Sequence, residues 1–580
     1  MVEVEQESGG NILLRSPIPL GAYERCLGDM LVRAASAVPE RVFLAAREGG
    51  GWRRLSYAAA LDAVRAVGQA LLNRQIPAGR TVVIIAENGI EHALLALGAM
   101  HVGIAVVPVS AAYARPSDGY LKLTAIVEQV TPALVFVDDA ARLAAALRVA
   151  AQFSAELVLG PAVAGPGTPF AQLLATPPGP EVDAAFAAVD HDTVAKLLFT
   201  SGSTGAPKGV INTQRMLCAN QQMMSQVWPF LQHRPPVVLD WLPWSHTFGG
   251  NHDFNMVLKN AGTLYIDNGK PVAGLFEKTV SNLKEIRPTV YFNVPAGFAM
   301  LIDAMEADAA LRDNFFAELD LVFYAAAALP QTSWTRLETL SRAARSKIVP
   351  MVSAWGLTET SPLALSVYFH IDRAGIIGLP PPGCEVRLAP VNQKLELRVR
   401  GPHVTPGYWR QEQKTTAAFD ADGFYLTGDA GKFFDEDDPA KGLVFDGRLA
   451  ENFKLSTGTW VNVGNLRIGL LAAASPLIGD AVIAGEGRDE IGLLIFPNFP
   501  GRPNIGELRA RLQAHNQTAA RASSMRVGRA ILLDSPPSLE HGEITDKGYV
   551  NQRAVLRNRA DYVARLYATT PDPDVLIIPA

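Results

Sequence analysis

The sequence predicts an α/β protein: a large N-terminal domain of two α/β sheets plus a β-barrel-like part, followed by a smaller α+β domain. Three observations lead there. The chain has 580 residues, more than a single hydrophobic core covers. From Arg41 onward short apolar runs alternate with helical stretches, the pattern of a largely parallel sheet clothed in helices. After Gly447-Arg448 the composition shifts, and the remaining about 130 residues carry a strand and helix pattern of their own, enough for an independent small domain.

In order, the first set runs as strand Phe43 to Ala45, helix Tyr57 to Leu72, strand Thr81 to Ile85, helix Ile90 to Met100 and strand Ala105 to Val109. Alanine-rich, Pro/Gly-bounded sequence from Ala140 to Asp190 reads as helix and loop. A second set places strands at Leu197 to Phe199, Val237 to Trp241, Gly262 to Ile266, Thr289 to Val294 and Leu321 to Tyr324, with helices such as Gly274 to Glu285 and Thr332 to Ala344 between them. Alternation at Leu395 to Val399 predicts antiparallel β structure. The boundaries expected are 1–447 for the large domain and 448–580 for the small one, with a hinge near 448–451.

Bulk properties exclude several functions. Lys plus Arg number 52 against 57 Asp plus Glu, and no basic tract is long enough to follow a phosphate backbone, so nucleic acid is not an expected partner. Cys26, Cys218 and Cys384 are far apart and form neither a disulfide framework nor a zinc cluster. The polar start, Met1 to Gly10, is unlike a signal peptide. Ala93 to Ala114 has no charged residue over 22 positions, but Gly98, Gly103 and Pro108 interrupt it, which favours a buried helix followed by a buried strand over a membrane span. A cytoplasmic location is expected; the oligomeric state is left open.

The most informative segment is Leu198 to Val210, Leu-Phe-Thr-Ser-Gly-Ser-Thr-Gly-Ala-Pro-Lys-Gly-Val. An apolar run enters a loop with Gly202, Gly205 and Gly209, the hydroxyls of Thr200, Ser201, Ser203 and Thr204, and Lys208. Glycines let backbone N–H groups face an anion, hydroxyls add donors and the lysine adds a mobile charge, so the loop suits a polyphosphate. No Gly-x4-Gly-Lys-Ser/Thr spacing fits it, which excludes a Walker A loop.

Further segments follow in a particular order: Trp241-Leu-Pro-Trp244-Ser-His246-Thr-Phe-Gly-Gly, Ala354-Trp355-Gly356-Leu-Thr358-Glu359-Thr360, Gly423-Phe-Tyr-Leu-Thr-Gly-Asp429, Gly447-Arg448-Leu-Ala-Glu-Asn-Phe-Lys454 and Gly542-Glu-Ile-Thr-Asp-Lys547-Gly. With the glycine loop they resemble the adenylate-forming superfamily of acyl-CoA synthetases, luciferases and peptide-synthetase adenylation domains, over roughly Leu55 to Leu556. Within it, the Trp-Leu-Pro-Trp block, the Phe323-Tyr-Ala-Ala-Ala-Ala-Leu-Pro run and the Gly-Glu-Ile-Thr-Asp-Lys-Gly tail are most similar to bacterial feruloyl-CoA synthetases.

The resemblance implies an ATP-dependent carboxylate–CoA ligase that forms an acyl adenylate and then a thioester, with ATP, Mg2+ and coenzyme A. Its rivals are a ligase for another aryl or medium-chain acid, an adenylating enzyme that loads a carrier protein in trans, and a silent relative that only binds nucleotide or a partner. By that resemblance the loop from Thr200 to Lys208 holds the β- and γ-phosphates. Glu359 anchors Mg2+, a hard ion suited to carboxylate and phosphate oxygens, and Thr358 meets the α-phosphate. Ala326, Ala327, Trp355 and Gly356 flank the nucleotide, Asp429 accepts from the ribose hydroxyls and Arg448 donates beside it. Lys547 bridges the substrate carboxylate and the α-phosphate, and His246 and Lys454 serve the thioester step, as the small domain turns about the hinge.

Alone, a Thr-Gly-Asp turn or a buried histidine means little; order and co-occurrence carry the assignment. Two departures stand out: Ala325-Ala326-Ala327 replaces the usual Gly-Gly-Ala turn, and Ala450 stands at a hinge position that is charged in relatives. The expected substrate is a small aromatic carboxylic acid, a hydroxycinnamate such as ferulate, in a pocket of Trp241, Trp244, Tyr291, Phe298 and Tyr324. Asn251, Asn293 and His252 are candidates to meet a phenolic hydroxyl.

Overall fold

Thr81–Ile85 is an apolar run buried at every position, and it becomes the central strand of a seven-stranded sheet. In spatial order the strands are Pro207–Thr213, Val194–Ser201, Val106–Val109, Thr81–Ile85, Pro132–Val137, Glu156–Leu159 and Thr168–Pro169. All neighbours are parallel except the first pair, an antiparallel hairpin. The computed structural model that displays this fold describes residues 2–114, 120–201, 207–272, 274–325, 327, 329–391, 393–474, 476–498, 501, 503–518, 523–538, 541–544, 550–570 and 572–579.

A second layer is made of two four-stranded sheets. One runs Val237–Asp240, Thr263–Ile266, Val42–Glu48, Gly51–Ser56; the other runs Val290–Asn293, Leu321–Tyr324, Met351–Gly356, Leu363–Ser366. The Thr289 N–H donates to the Val237 carbonyl at 2.8 Å and links the two at their edges. The third part is a seven-stranded antiparallel sheet from Glu3–Gln6 at one edge to Ile376–Gly378 at the other, with Lys394–Arg400 and Tyr425–Phe433 adjacent in its middle. Residues from Phe453 to Ile578 build two hydrophobic clusters of their own around a four-stranded sheet.

Chain order misleads about sheet membership. Val42–Glu48 pairs with Thr263–Ile266 (Leu44 opposite Leu264), whereas Val194–Ser201 joins Val106–Val109. Each strand has the same apolar periodicity whichever edge it occupies, so local pattern carries no information on its neighbour. The stretch from Ala140 to Asp190 is more than helix and loop: Glu156–Leu159 is a strand beside Pro132–Val137, its three apolar residues buried between helical layers.

Two glycines set the helix packing over the first sheet. Helix Tyr57–Asn73, capped by the Ser56 hydroxyl accepting from the Ala59 N–H, crosses helix Ile90–His101 at close range. A Cβ on Gly98 would lie 2.6 Å from Val67 Cγ1, and one on Gly68 would lie 2.9 Å from Val102 Cγ1. Both approaches are shorter than side-chain carbons tolerate. Gly98→Ala is therefore expected to cost about 1–3 kcal/mol through overpacking. A lowered urea midpoint with unchanged KM for ATP is the expected result.

Candidate active site

The strands Val194–Ser201 and Pro207–Thr213 flank, in sequence, the glycine loop expected to bind phosphate. Their register places Ser201 opposite Pro207, Thr200 opposite Lys208 and Phe199 opposite Gly209. Gly202, Ser203, Thr204 and Gly205, like the side chain of Ser201, lie outside the described residues. Gly209 is small because a Cβ there would sit 3.0 Å from the Phe199 ring. The outer strand is held by the segment after Thr405: Trp409 N–H donates to Gly209 O at 2.8 Å, Ile211 N–H to Gly407 O at 3.1 Å, and the Thr405 hydroxyl to Ile211 O at 2.7 Å.

That segment also reaches the acidic site. Lys208 Nζ lies 4.9 Å from the Tyr408 ring centroid, and the Tyr408 hydroxyl donates to Glu359 Oε1 at 3.0 Å. It meets the Tyr425 hydroxyl, also at 3.0 Å. Burial, reinforced by the Glu359 charge, raises both phenols far above their ordinary value, so they stay protonated. Glu359 sits in a 3-10 turn, Thr358–Thr360, that follows strand Met351–Gly356. The strand ends in a glycine, Gly356, because a Cβ there would fall 1.6 Å from Pro362 O. Thr358 is half-buried on the same turn.

Tyr425 begins the strand that carries Asp429, and Asp429 closes the circuit back to Trp355. Trp355 Nε1 donates to Asp429 Oδ2 at 3.1 Å, while Arg448 Nε, across the strand pair, lies 3.6 Å from Oδ1. Burial pushes the Asp429 carboxyl up to about 6, against the pull of Arg448 and Trp355. Lys208, Glu359, Trp355, Asp429 and Arg448, spread over 241 positions of sequence, thus belong to one connected set of contacts. Among the described residues no three His, Cys, Asp or Glu side chains converge into a metal cage. A single carboxylate such as Glu359 fits Mg2+ that keeps water and phosphate oxygens for its other ligands.

Other candidates are placed differently. Lys547 and Ala326 lie outside the described residues; Ala327 is exposed in a bend. Lys454 stands on a two-residue strand with its Nζ 5.0 Å from the Trp460 ring, apart from the circuit around Glu359. Of the expected pocket, Trp241 and Trp244 pack in the main core. Tyr291, Phe298 and Tyr324 belong to a second cluster with Phe315 and Trp334, beneath the helices. Strand alternation explains this: Phe292 and Phe323 point the other way, toward Phe248 and His252. Trp228 completes that group, its ring 5.9 Å from His252.

His246 is half-buried on a turn just before a π-helical segment, Phe248–Asp253. The Gly249-Gly250 pair exists for close approach: a Cβ on Gly249 would be 2.2 Å from Leu242 O, and one on Gly250 2.4 Å from Trp244 O. Lys196 braces this segment from below, donating to Gly250 O at 2.8 Å and Asn251 Oδ1 at 3.3 Å. Burial lowers its ammonium to about 7. Asn251 Nδ2 in turn donates to Asn212 Oδ1 at 2.7 Å, so Asn251 is a structural brace. Asn293 Oδ1 accepts from Trp241 Nε1 at 3.2 Å. Sequence reasoning missed Tyr408, Tyr425 and Lys196; the Pro406-Gly-Tyr-Trp409 turn was the one available signal for the first.

Comparison with known proteins gives the family and the fold. Residues 31–409 match the model of the family described as AMP-binding enzyme, and residues 453–571 match the AMP-binding enzyme C-terminal domain. The chain belongs to this family. A long-chain-fatty-acid–CoA ligase of Mycobacterium bovis is 26% identical, the alignment covering 96% of this chain and 99% of the ligase. A carboxylic acid reductase of Mycobacterium marinum is also 26% identical, over 85% of this chain and 44% of the reductase. Among solved structures, the anthranilate CoA ligase AuaEII with anthranoyl-AMP superposes with a TM-score of 0.76 at 19% identity, covering 94% of this chain and 99% of that one. ATP-bound MatB from Rhodopseudomonas palustris gives 0.70 at 21% identity, covering 92% and 99%. The protein is an AMP-forming acid–CoA ligase that uses ATP, Mg2+ and coenzyme A.

Two predictions follow from the circuit. In the expected role of ribose anchor, the ionised Asp429 carboxylate accepts from hydroxyls more strongly than the neutral acid, so kcat/KM for ATP should be level above neutrality and fall with unit slope below about pH 6. Asp429→Asn should lower it and abolish that limb. Tyr408→Phe removes one donor to Glu359 and should raise the Mg2+ concentration needed for half-maximal rate by about 3- to 10-fold, the loss of one charge-assisted hydrogen bond. Circular dichroism should show the variant folded.

Proposed function

We propose that the acid activated is a small aromatic carboxylic acid, a hydroxycinnamate such as ferulate. The observation that carries this reading is the aromatic group of Phe248, Phe292, Phe323 and Trp228 around His252, on the segment that also bears His246. Flat rings stack against such walls in preference to a flexible alkyl chain. The solved anthranilate ligase with its aryl adenylate supports the same class.

In the first step the substrate carboxylate oxygen attacks the α-phosphorus of ATP and the bond to the bridging oxygen breaks, releasing pyrophosphate. Two anions must be brought together, so the work is charge neutralisation and in-line positioning. The loop from Thr200 to Lys208 meets the outer phosphates, Thr358 the α-phosphate, Asp429 and Arg448 the ribose, and Lys547 the developing charge. In the second step the coenzyme A thiolate attacks the acyl carbonyl and AMP leaves. The small domain turns about 448–451 between the steps, bringing Lys454 and its loop forward while His246 shifts to admit the thiol.

A second reading, a long-chain fatty acid, is favoured by the end-to-end relationship to the Mycobacterium bovis ligase. Pyrophosphate release with a panel of acids, with and without coenzyme A, separates the two. Ferulate, coumarate and caffeate should each show a higher kcat/KM than decanoate. Decanoate exceeding all three would establish the aliphatic reading instead, and acid-dependent pyrophosphate release that never yields thioester would point to a carrier protein as acceptor.

A further inference from the structure

Lys196 is 6% exposed, on the strand Val194–Ser201 that runs into the glycine loop. Among the described residues it forms no ion pair; its side chain donates to Gly250 O at 2.8 Å and to Asn251 Oδ1 at 3.3 Å. Asn212, fully buried, stands directly opposite Lys196 in the antiparallel register, so the two side chains share one face of the sheet. Its Oδ1 accepts from Asn251 Nδ2 at 2.7 Å. The Asn251 amide is thus gripped at both atoms, its oxygen by one strand and its nitrogen by the other. An aliphatic side chain at 196 would fill the same space without the cost of burying an amine, so the two bonds, and not packing, are what the lysine contributes.

The segment held in this way carries His246. Asn251 Nδ2 also donates to Thr247 Oγ1 at 3.2 Å, and the Gly250 N–H donates to His246 O at 2.8 Å. At the near end Asn88 bonds twice, donating to Leu242 O and accepting from the Trp244 N–H, each at 2.9 Å. His246 therefore lies between two anchors, and the far one is built from the strands on either side of the glycine loop.

We propose that Lys196 and Asn212 tie the strands flanking the glycine loop to the turn that bears His246, and that this tie positions His246 for the thioester step. The inference rests on the reading that His246 serves that step. It assigns Lys196 and Asn212 a positioning role.

The chemistry of the tie suits a fixed link. An amine keeps at least two N–H donors whether or not it is protonated, so both bonds persist although burial lowers the ammonium to about 7. Gln221 Nε2, on helix Gln214–Val227, donates to Asn251 O at 2.8 Å. Without the lysine the segment stays docked through Gln221, while Gly250 O and Asn251 Oδ1 lose their donor and the turn gains freedom.

Lys196→Met keeps the length of the side chain and removes both donors. The two half-reactions should be measured separately with whichever acid the wild type turns over fastest, so that the outcome is independent of whether that acid is aryl or aliphatic. Thioester formation from preformed acyl adenylate and coenzyme A should slow about tenfold or more, the loss of buried hydrogen bonds, while acid-dependent pyrophosphate exchange keeps KM for ATP within about twofold and kcat within about threefold. Lys196→Gln, which retains two N–H donors one bond closer to the backbone, should recover about threefold or more of that loss. Asn212→Leu should slow the same step, and adding it to Lys196→Met should cost less than about twofold more, because both residues grip one amide. Equal losses in the two half-reactions, a loss confined to ATP, full additivity in the double variant, or wild-type thioester rates in Lys196→Met would each overturn the proposal. His246→Ala tests the underlying reading: slow thioester formation there beside an unaffected Lys196→Met defeats the tie alone, whereas wild-type rates in His246→Ala withdraw the reading and the tie with it. If Lys196→Met does not fold, Lys196→Gln and Asn212→Leu decide by the same split between half-reactions.

Discussion

The Tyr408 hydroxyl is the point on which the nucleotide site turns. It touches Glu359 and Tyr425 at 3.0 Å each, while its ring lies under the Lys208 ammonium. Three parts of the fold meet there: the phosphate hairpin on the edge of the first sheet, the 3-10 turn at the end of the second layer, and the antiparallel sheet that carries Asp429. None of these elements neighbours the others in sequence. A phenol suits the position because its face accepts a cation while its hydroxyl serves two oxygens in a plane.

Around this point the protein keeps acids where burial opposes their charge. Asp429, Asp240 and Asp253 all sit above the ordinary aspartate range because burial disfavours the ionised form. At Asp429 the cost is offset by Trp355 and Arg448, leaving a carboxylate available near neutrality.

The Trp241 to Asp253 segment joins these themes. Its two glycines exist to let the π-helical segment lie against the carbonyls of Leu242 and Trp244. Lys196 holds it through the Gly250 carbonyl and the Asn251 side chain. Such over-determination is expected of a backbone that departs from regular helix beside a reaction site.

Sequence alone determined the α/β class, most strands and helices, and membership of the AMP-binding family. Those features rest on local rules: hydrophobic period, glycines at anion loops, and residue types matched to phosphate, metal and ribose. Tertiary structure decided which strands adjoin, and so placed Val42–Glu48 beside Thr263–Ile266. It also decided which side of a strand each ring takes, placing Phe292 and Phe323 in one core cluster and Tyr291 and Tyr324 in another. Tyr408 and Lys196 became legible only in three dimensions, because a hydroxyl or an ammonium acquires its role from partners that no spacing in the chain specifies.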